Sequence, residues 1–290
     1  MKQAMLWLLM LLSAPAMAQN AAIMDPPRDA AHPPRPVAFV FPSPDGNGAM
    51  NALLWLAGGP GPHPALLLFH GFPGNEQNLD LAQAARRAGW HVLTLHYRGS
   101  WGSTGDFSFT HAAQDAHTAL AWLRNPANAA KFGIDSHRIA VAGHSMGGFM
   151  ASDAAADDPA VIGLFLIDAW YIGKYGAKTA TAAGLAEWSK AHVDDIPPLA
   201  GATVDGLAKE VRENAARFDL KARVLAYGPR PLAIYGAASA LGSDNLDILN
   251  AAVQAGNIHA SGGLWDTDHS FSDRRIALAS NLVDWLARLP

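Results

Sequence analysis

The sequence contains no cysteine. Disulfides, thiolate metal sites and a cysteine nucleophile are therefore excluded. Charge is also scarce. Only 16% of the 290 residues are Asp, Glu, Lys or Arg, the formal net charge is −4, and there is no basic run. That argues against a nucleic-acid partner. Metal motifs are missing as well: no H-E-x-x-H, no Asp-rich calcium loop and no Walker pattern occurs. His91 and His96 share a predicted strand at odd separation, so their side chains point to opposite faces. The one marked apolar run, Met5 to Leu12, is too short to span a membrane. No repeat appears at solenoid periods. Half of the residues are hydrophobic, and the length suits one large α/β domain with a sizeable core.

The N-terminus has the layout of a secretory signal peptide, residues 1–18. Lys2 supplies a positive charge, Met5 to Leu12 the apolar stretch, and Ala16-Met17-Ala18 a cleavage site of small residues. The mature chain would then start near Gln19 and lie in the periplasm or outside the cell, with no stable membrane span. Residues 19–36 carry Pro26, Pro27, Pro33, Pro34 and Pro36 and are expected to form an extended tail. The domain proper is expected over 37–290.

Within it, short apolar runs alternate with longer helical patterns. Strands are expected at Val37–Phe41, Ala52–Leu56, Ala65–Phe69, His91–Leu95, Ile139–Ala142, Leu164–Ile167 and Leu232–Tyr235, with a weaker one near Ile258–Leu264. Helices are expected at Leu79–Ala88, His111–Leu123, Phe149–Ala156, Asn245–Ala255 and Arg274–Leu286. An antiparallel start followed by strand–helix alternation implies a mostly parallel eight-stranded sheet with helices on both faces. Trp170 to Tyr227 is too long for a crossover. Its helical stretches, Thr179–His192 and Val204–Arg217, suggest a cap over the carboxyl edge of the sheet.

The most informative run is Gly143-His144-Ser145-Met146-Gly147, which follows the apolar strand Ile139–Ala142 and precedes a helix. A G-x-S-x-G sequence in strand–turn–helix context places the serine hydroxyl on a sharp, exposed turn. A plain alternative is that Ser145 only caps the helix. Ligands of open α/β sheets bind beyond the carboxyl ends of the strands, and other candidates cluster there. His70-Gly-Phe-Pro-Gly74 follows the third strand. Its Phe72 amide, with that of Met146, is the expected oxyanion hole. His70 is expected to brace that loop. His269, between the last strand and last helix, is placed to serve as general base. Asp268 beside it is expected to structure the loop. Trp101, Trp170 and Tyr171 are candidates to touch the substrate, as are Tyr175 and Trp188 of the cap. A catalytic serine needs neither metal nor cofactor.

From about Phe39 onward the chain resembles the α/β-hydrolase superfamily, in particular dienelactone-hydrolase-like and prolyl-oligopeptidase-like catalytic domains. The resemblance rests on His70-Gly-Phe-Pro-Gly74, Tyr97-Arg-Gly-Ser-Trp-Gly-Ser-Thr-Gly105, Gly133 to Gly148 and Asp268-His-Ser-Phe271. It implies an α/β-hydrolase fold and a secreted serine hydrolase that cleaves small carboxylic esters through an acyl-enzyme on Ser145. Peptide and lactone hydrolysis are alternatives, as is a non-catalytic binding role. The chain departs from the family pattern in its acid. Relatives usually carry an Asp shortly after the penultimate strand, where Ser239 stands here. Asp244 comes later and looks like a helix N-cap. Asp168 closes the preceding strand, a place where some relatives carry the acid, and is favoured.

Overall fold

Runs that are apolar at every position, such as Ala65–Phe69, are buried on both sides, as strands between two helical layers must be. A computed structural model describes residues 21–290; the expected signal peptide, residues 1–18, lies outside them. The strands are β1 (Arg35–Pro42), β2 (Ala49–Leu56), β3 (His63–Phe69), β4 (His91–Leu95), β5 (Ile134–His144), β6 (Val161–Ile167), β7 (Leu232–Ala237) and β8 (Ala260–Trp265). They form one sheet in the order β1-β2-β4-β3-β5-β6-β7-β8. β2 runs antiparallel to both neighbours, and the pairs from β4 to β8 are parallel.

The helices are α1 (Leu79–Arg87), α2 (Phe109–Arg124), α3 (Pro126–Phe132), α4 (Met146–Asp157), α5 (Tyr175–Lys178), α6 (Ala182–His192), α7 (Val204–Glu213), α8 (Leu220–Tyr227), α9 (Gly242–Gln254) and α10 (Arg275–Leu286). The core divides at the sheet. One side buries Leu66, Leu68, Val92, Phe165 and Ile167 against Leu81 and Ala85 of α1 and Leu278, Leu282 and Trp285 of α10. The other buries Leu67, Phe69, Leu93 and Val141 against Phe109 and Leu120 of α2 and Phe149 of α4, and continues into the cap. Period-two alternation along each strand sends successive side chains to opposite layers. Removing a buried leucine side chain such as that of Leu67 should cost about 2–5 kcal/mol.

Several boundaries differ from expectation. α3 was not anticipated, although its start is written as Asn125-Pro126. The Asn125 side chain accepts from the amides of Ala127 and Asn128, and Pro126 opens the helix. α9 begins at Gly242 with Leu241 as its N-cap, so Asp244 lies in the first turn and is not the cap. The cap holds two helices more than expected, the short α5 and α8, and the N-cap of α8, Asp219, accepts from the Ala222 amide. α6 and α7 start at the threonines Thr181 and Thr203, which accept from the amides of Gly184 and Gly206. The proline-rich segment reaches β1 at Arg35, and its start is tied down. Arg87 Nε donates to the Ala21 carbonyl at 2.6 Å and Nη2 to that of Ala22 at 3.2 Å.

Candidate active site

The G-x-S-x-G turn joins β5 directly to α4. Ser145 sits between them at φ 55°, ψ −123°, a conformation that disfavours a Cβ. The flanking glycines permit close approach. A Cβ on Gly143 would lie 2.0 Å from the Gly147 carbonyl oxygen, and one on Gly147 would lie 2.4 Å from that of Phe69. The strain is thus carried by the serine, and the glycines let β3, β5 and α4 converge beneath it. The turn is also laced to the end of β6. The Ser145 amide donates to Ile167 O at 3.0 Å, and the Trp170 amide donates to Ser145 O at 2.8 Å. These two bonds bring Asp168 and Trp170 beside the serine.

Asp168 is fully buried and also left-handed, at φ 39°. Its carboxylate accepts three bonds: Oδ1 from the Ala237 amide at 2.9 Å, and Oδ2 from the Leu241 amide at 3.2 Å and from His269 Nδ1–H at 2.6 Å. A carboxylate taken out of water needs such donors to stay ionised. The peptide that follows is clamped by buried Asn245, whose amide side chain bonds both the Ala169 N–H and the Ala169 carbonyl, at 2.9 and 3.0 Å. With Nδ1–H given to Asp168, a neutral His269 keeps its lone pair on Nε2. His269 and Ser145 face the same cavity. No hydrogen bond joins the two among the described residues; such bonds often tighten only once substrate is bound.

Asp244 is committed elsewhere. Its carboxylate pairs with Lys174 Nζ, so of the two candidate acids only Asp168 meets the imidazole. Ser239, where an Asp was expected, donates to the Thr267 carbonyl at 2.8 Å. Asp268 accepts from the Ser272 amide at 2.8 Å, a loop-structuring bond.

The other expected residues divide. The N–H groups of Phe72 and Met146 have no protein acceptor among the described residues, as an oxyanion hole requires. Gly71 packs against Ser145, for a Cβ there would come within 2.9 Å of Ser145 Cβ. His70 braces this loop through Nδ1–H to the Gly71 carbonyl at 2.7 Å, and burial holds its pKa down to about 4. Trp170 lines the cavity, with Tyr175 and Trp188. Trp101 does not. Its indole N–H donates to the Pro73 carbonyl at 2.8 Å, so it buttresses the His70–Gly74 loop from outside. Tyr171 does not either, because its hydroxyl is spent on Asp219 at the start of α8.

One contributor escaped sequence reasoning. His144, buried beside Ser145, donates Nε2–H to the His269 carbonyl at 2.9 Å and packs its ring 4.5 Å from that of His269. Burial, aided by the neighbouring imidazole, lowers its pKa to about 4, so it is neutral near pH 7. It fixes the backbone of the loop that carries His269. The signal was visible only as a histidine at the end of an apolar strand. The Tyr97 to Gly105 motif is likewise structural. Arg98 is fully buried and pairs with buried Asp115 at 2.7 Å.

The cavity has a volume of about 360 Å³. Phe72, Trp170, Tyr175 and Trp188 supply its aromatic wall; Lys178, Glu187, His192 and Asp195 supply polar groups from the cap. Elsewhere, His117, Asp153 and Asp157 have ligand-like spacing, but Arg223 forms ion pairs with both carboxylates and already provides the cation.

Residues 66–286 match the sequence model of the "Alpha/beta hydrolase family". The chain belongs to the alpha/beta hydrolase family. Solved structures agree on the fold. The alpha/beta hydrolase GrgF from Penicillium sp. sh18 superposes with a TM-score of 0.63 at 19% identity, over 88% of this chain and 98% of the other. EstE1, a thermostable carboxylesterase from a metagenomic library, gives 0.62 at 18% identity, over 95% and 96%. Brefeldin A esterase, a bacterial homologue of human hormone-sensitive lipase, gives 0.59 at 17%, over 95% and 86%. No curated protein matches the chain. The family match supports a hydrolase, and the neighbours, at 17–19% identity, show the fold. No described helix of this hydrolase is long and apolar enough to cross a membrane.

Proposed function

We propose that the protein is a serine hydrolase that cleaves carboxylic esters. The observation that carries this reading is the 2.6 Å bond from His269 Nδ1–H to buried Asp168, with the imidazole facing the cavity that holds strained Ser145. In the proposed reaction Ser145 Oγ attacks the ester carbonyl carbon and His269 Nε2 takes its proton. Asp168 stabilises the imidazolium that results. The carbonyl oxygen becomes an oxyanion held by the N–H groups of Phe72 and Met146, each worth about 10²- to 10³-fold in rate. The C–O bond then breaks, His269 protonates the departing alcohol, and water activated by the same base releases the acid. The aromatic wall suits an apolar acyl or alcohol group.

Hydrolysis of p-nitrophenyl esters of graded chain length, by wild type and Ser145→Ala, tests the proposal. Turnover by the parent and its loss in the variant are expected; full turnover by Ser145→Ala would refute it. Export belongs to the same proposal and rests on Lys2, Met5–Leu12 and Ala16-Met17-Ala18. Mass spectrometry of the protein from periplasm or medium should find a chain starting near Gln19. A chain retaining residues 1–18 in the cytosol would contradict export.

A further inference from the structure

A second histidine–aspartate pair stands in the same cavity, on the cap. His192 is the last residue of α6, and Asp195 follows it on a 3₁₀ turn, Val193–Asp195. His192 Nδ1–H donates to Asp195 Oδ2 at 3.0 Å, and both residues line the cavity with Ser145 and His269. The imidazole is packed among rings, 4.3 Å from Trp188, 5.6 Å from Trp170 and 5.7 Å from Phe72 between centroids. A phenylalanine would satisfy that packing alone. The histidine adds one thing, a polar nitrogen. The carboxylate fixes the tautomer by holding Nδ1–H, which leaves the lone pair on Nε2. Nε2 has no hydrogen-bond partner among the described residues and is not one of the sealed, unpartnered buried atoms, so it is open to a ligand.

An acceptor of fixed direction inside an aromatic wall selects for a donor. A hydroxyl entering this cavity loses water, and His192 Nε2 replaces the bond it gives up. A plain alkyl or aryl group at the same place would leave Nε2 dry. Lys178 and Glu187 are exposed and stay hydrated whichever substrate enters.

We propose that His192, oriented by Asp195, is a specificity-determining residue that accepts a hydrogen bond from a hydroxyl on the apolar body of the ester. The preferred substrates are then hydroxylated esters. The inference rests on the reading of this cavity as the ester site.

The test compares matched substrates that differ by one hydroxyl. p-Nitrophenyl esters from butanoate to decanoate are set against their ω-hydroxy counterparts, and ethylene glycol monobutanoate against propyl butanoate, with wild type, His192→Phe and His192→Gln. At one chain length, or on the alcohol side, the hydroxylated member should gain about 3- to 10-fold in kcat/KM, the worth of one neutral hydrogen bond. His192→Phe keeps the ring packing and should bring that ratio to about one. His192→Gln keeps an acceptor and should retain part of it. Absence of any preference in wild type, or an unchanged preference in His192→Phe, would overturn the inference, since a packing role moves both substrates alike. Titration calorimetry of methyl 6-hydroxyhexanoate and methyl hexanoate into Ser145→Ala gives the same comparison without turnover. Hydroxyl-selective binding there, lost in His192→Phe, would support the inference even if wild type hydrolysed no ester and the ester reading had fallen; equal binding of the two esters would sink it.

Discussion

Replacing Asp168 by Asn probes the orientation of the base with almost no change in volume. The carboxylate accepts from two backbone amides and from His269 Nδ1–H, three donors onto two oxygens. Asparagine has one acceptor oxygen and an NH₂ that only donates. One edge of the site must then set donor against donor. If the NH₂ takes the place of Oδ1 it faces Ala237, and that buried backbone N–H loses its partner, at a cost of about 1–3 kcal/mol. If it takes the place of Oδ2 it faces the Leu241 N–H and His269 together, and the imidazole relieves its own clash by moving its proton to Nε2, the nitrogen that must receive the Ser145 proton. The wrong tautomer cannot act as base. In the Ser-His-Asp template that change lowers kcat by about 10⁴, equivalent to about 5 kcal/mol of transition-state stabilisation. We expect a loss of about 10³- to 10⁴-fold in kcat on p-nitrophenyl butanoate with KM changed only a few-fold, in protein shown to be folded by circular dichroism and denaturant titration. Asp244→Asn is the control. It removes a partly exposed ion pair with Lys174, and pairs of that kind contribute about 0–1 kcal/mol, so activity should stay within about twofold. Activity within tenfold of wild type in folded Asp168→Asn, or a large loss in Asp244→Asn, would show that Asp168 does not orient the base.

Three further outcomes are expected from the same geometry. His144→Phe should lower kcat by about 3- to 10-fold with KM little changed, because it removes the bond that positions the His269 backbone while keeping a ring there; steady-state kinetics check this. Asp115→Ala should destabilise the fold by about 3–5 kcal/mol in urea titration, since it leaves the buried Arg98 guanidinium with only half-exposed Asp45 as an ionic partner. Stability should fall as pH drops from 6.5 towards 4, because burial holds His70, His91 and His144 down to about 4 from 6.5. In that window the unfolded chain takes up protons that the folded chain refuses. Each residue then withdraws at most about 3 kcal/mol, lost progressively below pH 6.5 and complete near pH 4. A urea midpoint independent of pH across this window would contradict it.

The fold was legible because its strands announce themselves. β3, β4 and β6 are near-continuous apolar runs, and the glycines from Gly143 to Gly147 allow a single tight turn from β5 into α4. Ser145, His269 and the Phe72 and Met146 amides could be named because each follows a strand at the edge where such sheets bind ligands. The acid was harder. Periodicity says that Asp168 ends a buried strand, but only the pairing of β6 with β7 puts its carboxylate under the Ala237 and Leu241 amides and within reach of His269. Aromatic residues misled for a related reason. Trp101 and Tyr171 have the composition of substrate contacts, yet their polar ends are consumed by Pro73 and Asp219. Sequence identifies a side chain's chemistry, whereas its partner is set by tertiary packing. His192 and Asp195 were readable as a pair at helix spacing, but nothing in the sequence turned them toward Ser145.

In the proposed reaction everything depends on Ser145 being a nucleophile activated by His269. A fluorophosphonate probe followed by peptide mass spectrometry tests it most directly. One adduct per chain is expected on the peptide bearing Ser145, formed rapidly by wild type and at least about a hundredfold more slowly by His269→Ala. An unmodified Ser145 in protein that still turns over esters, or labelling at equal rate without His269, would contradict it.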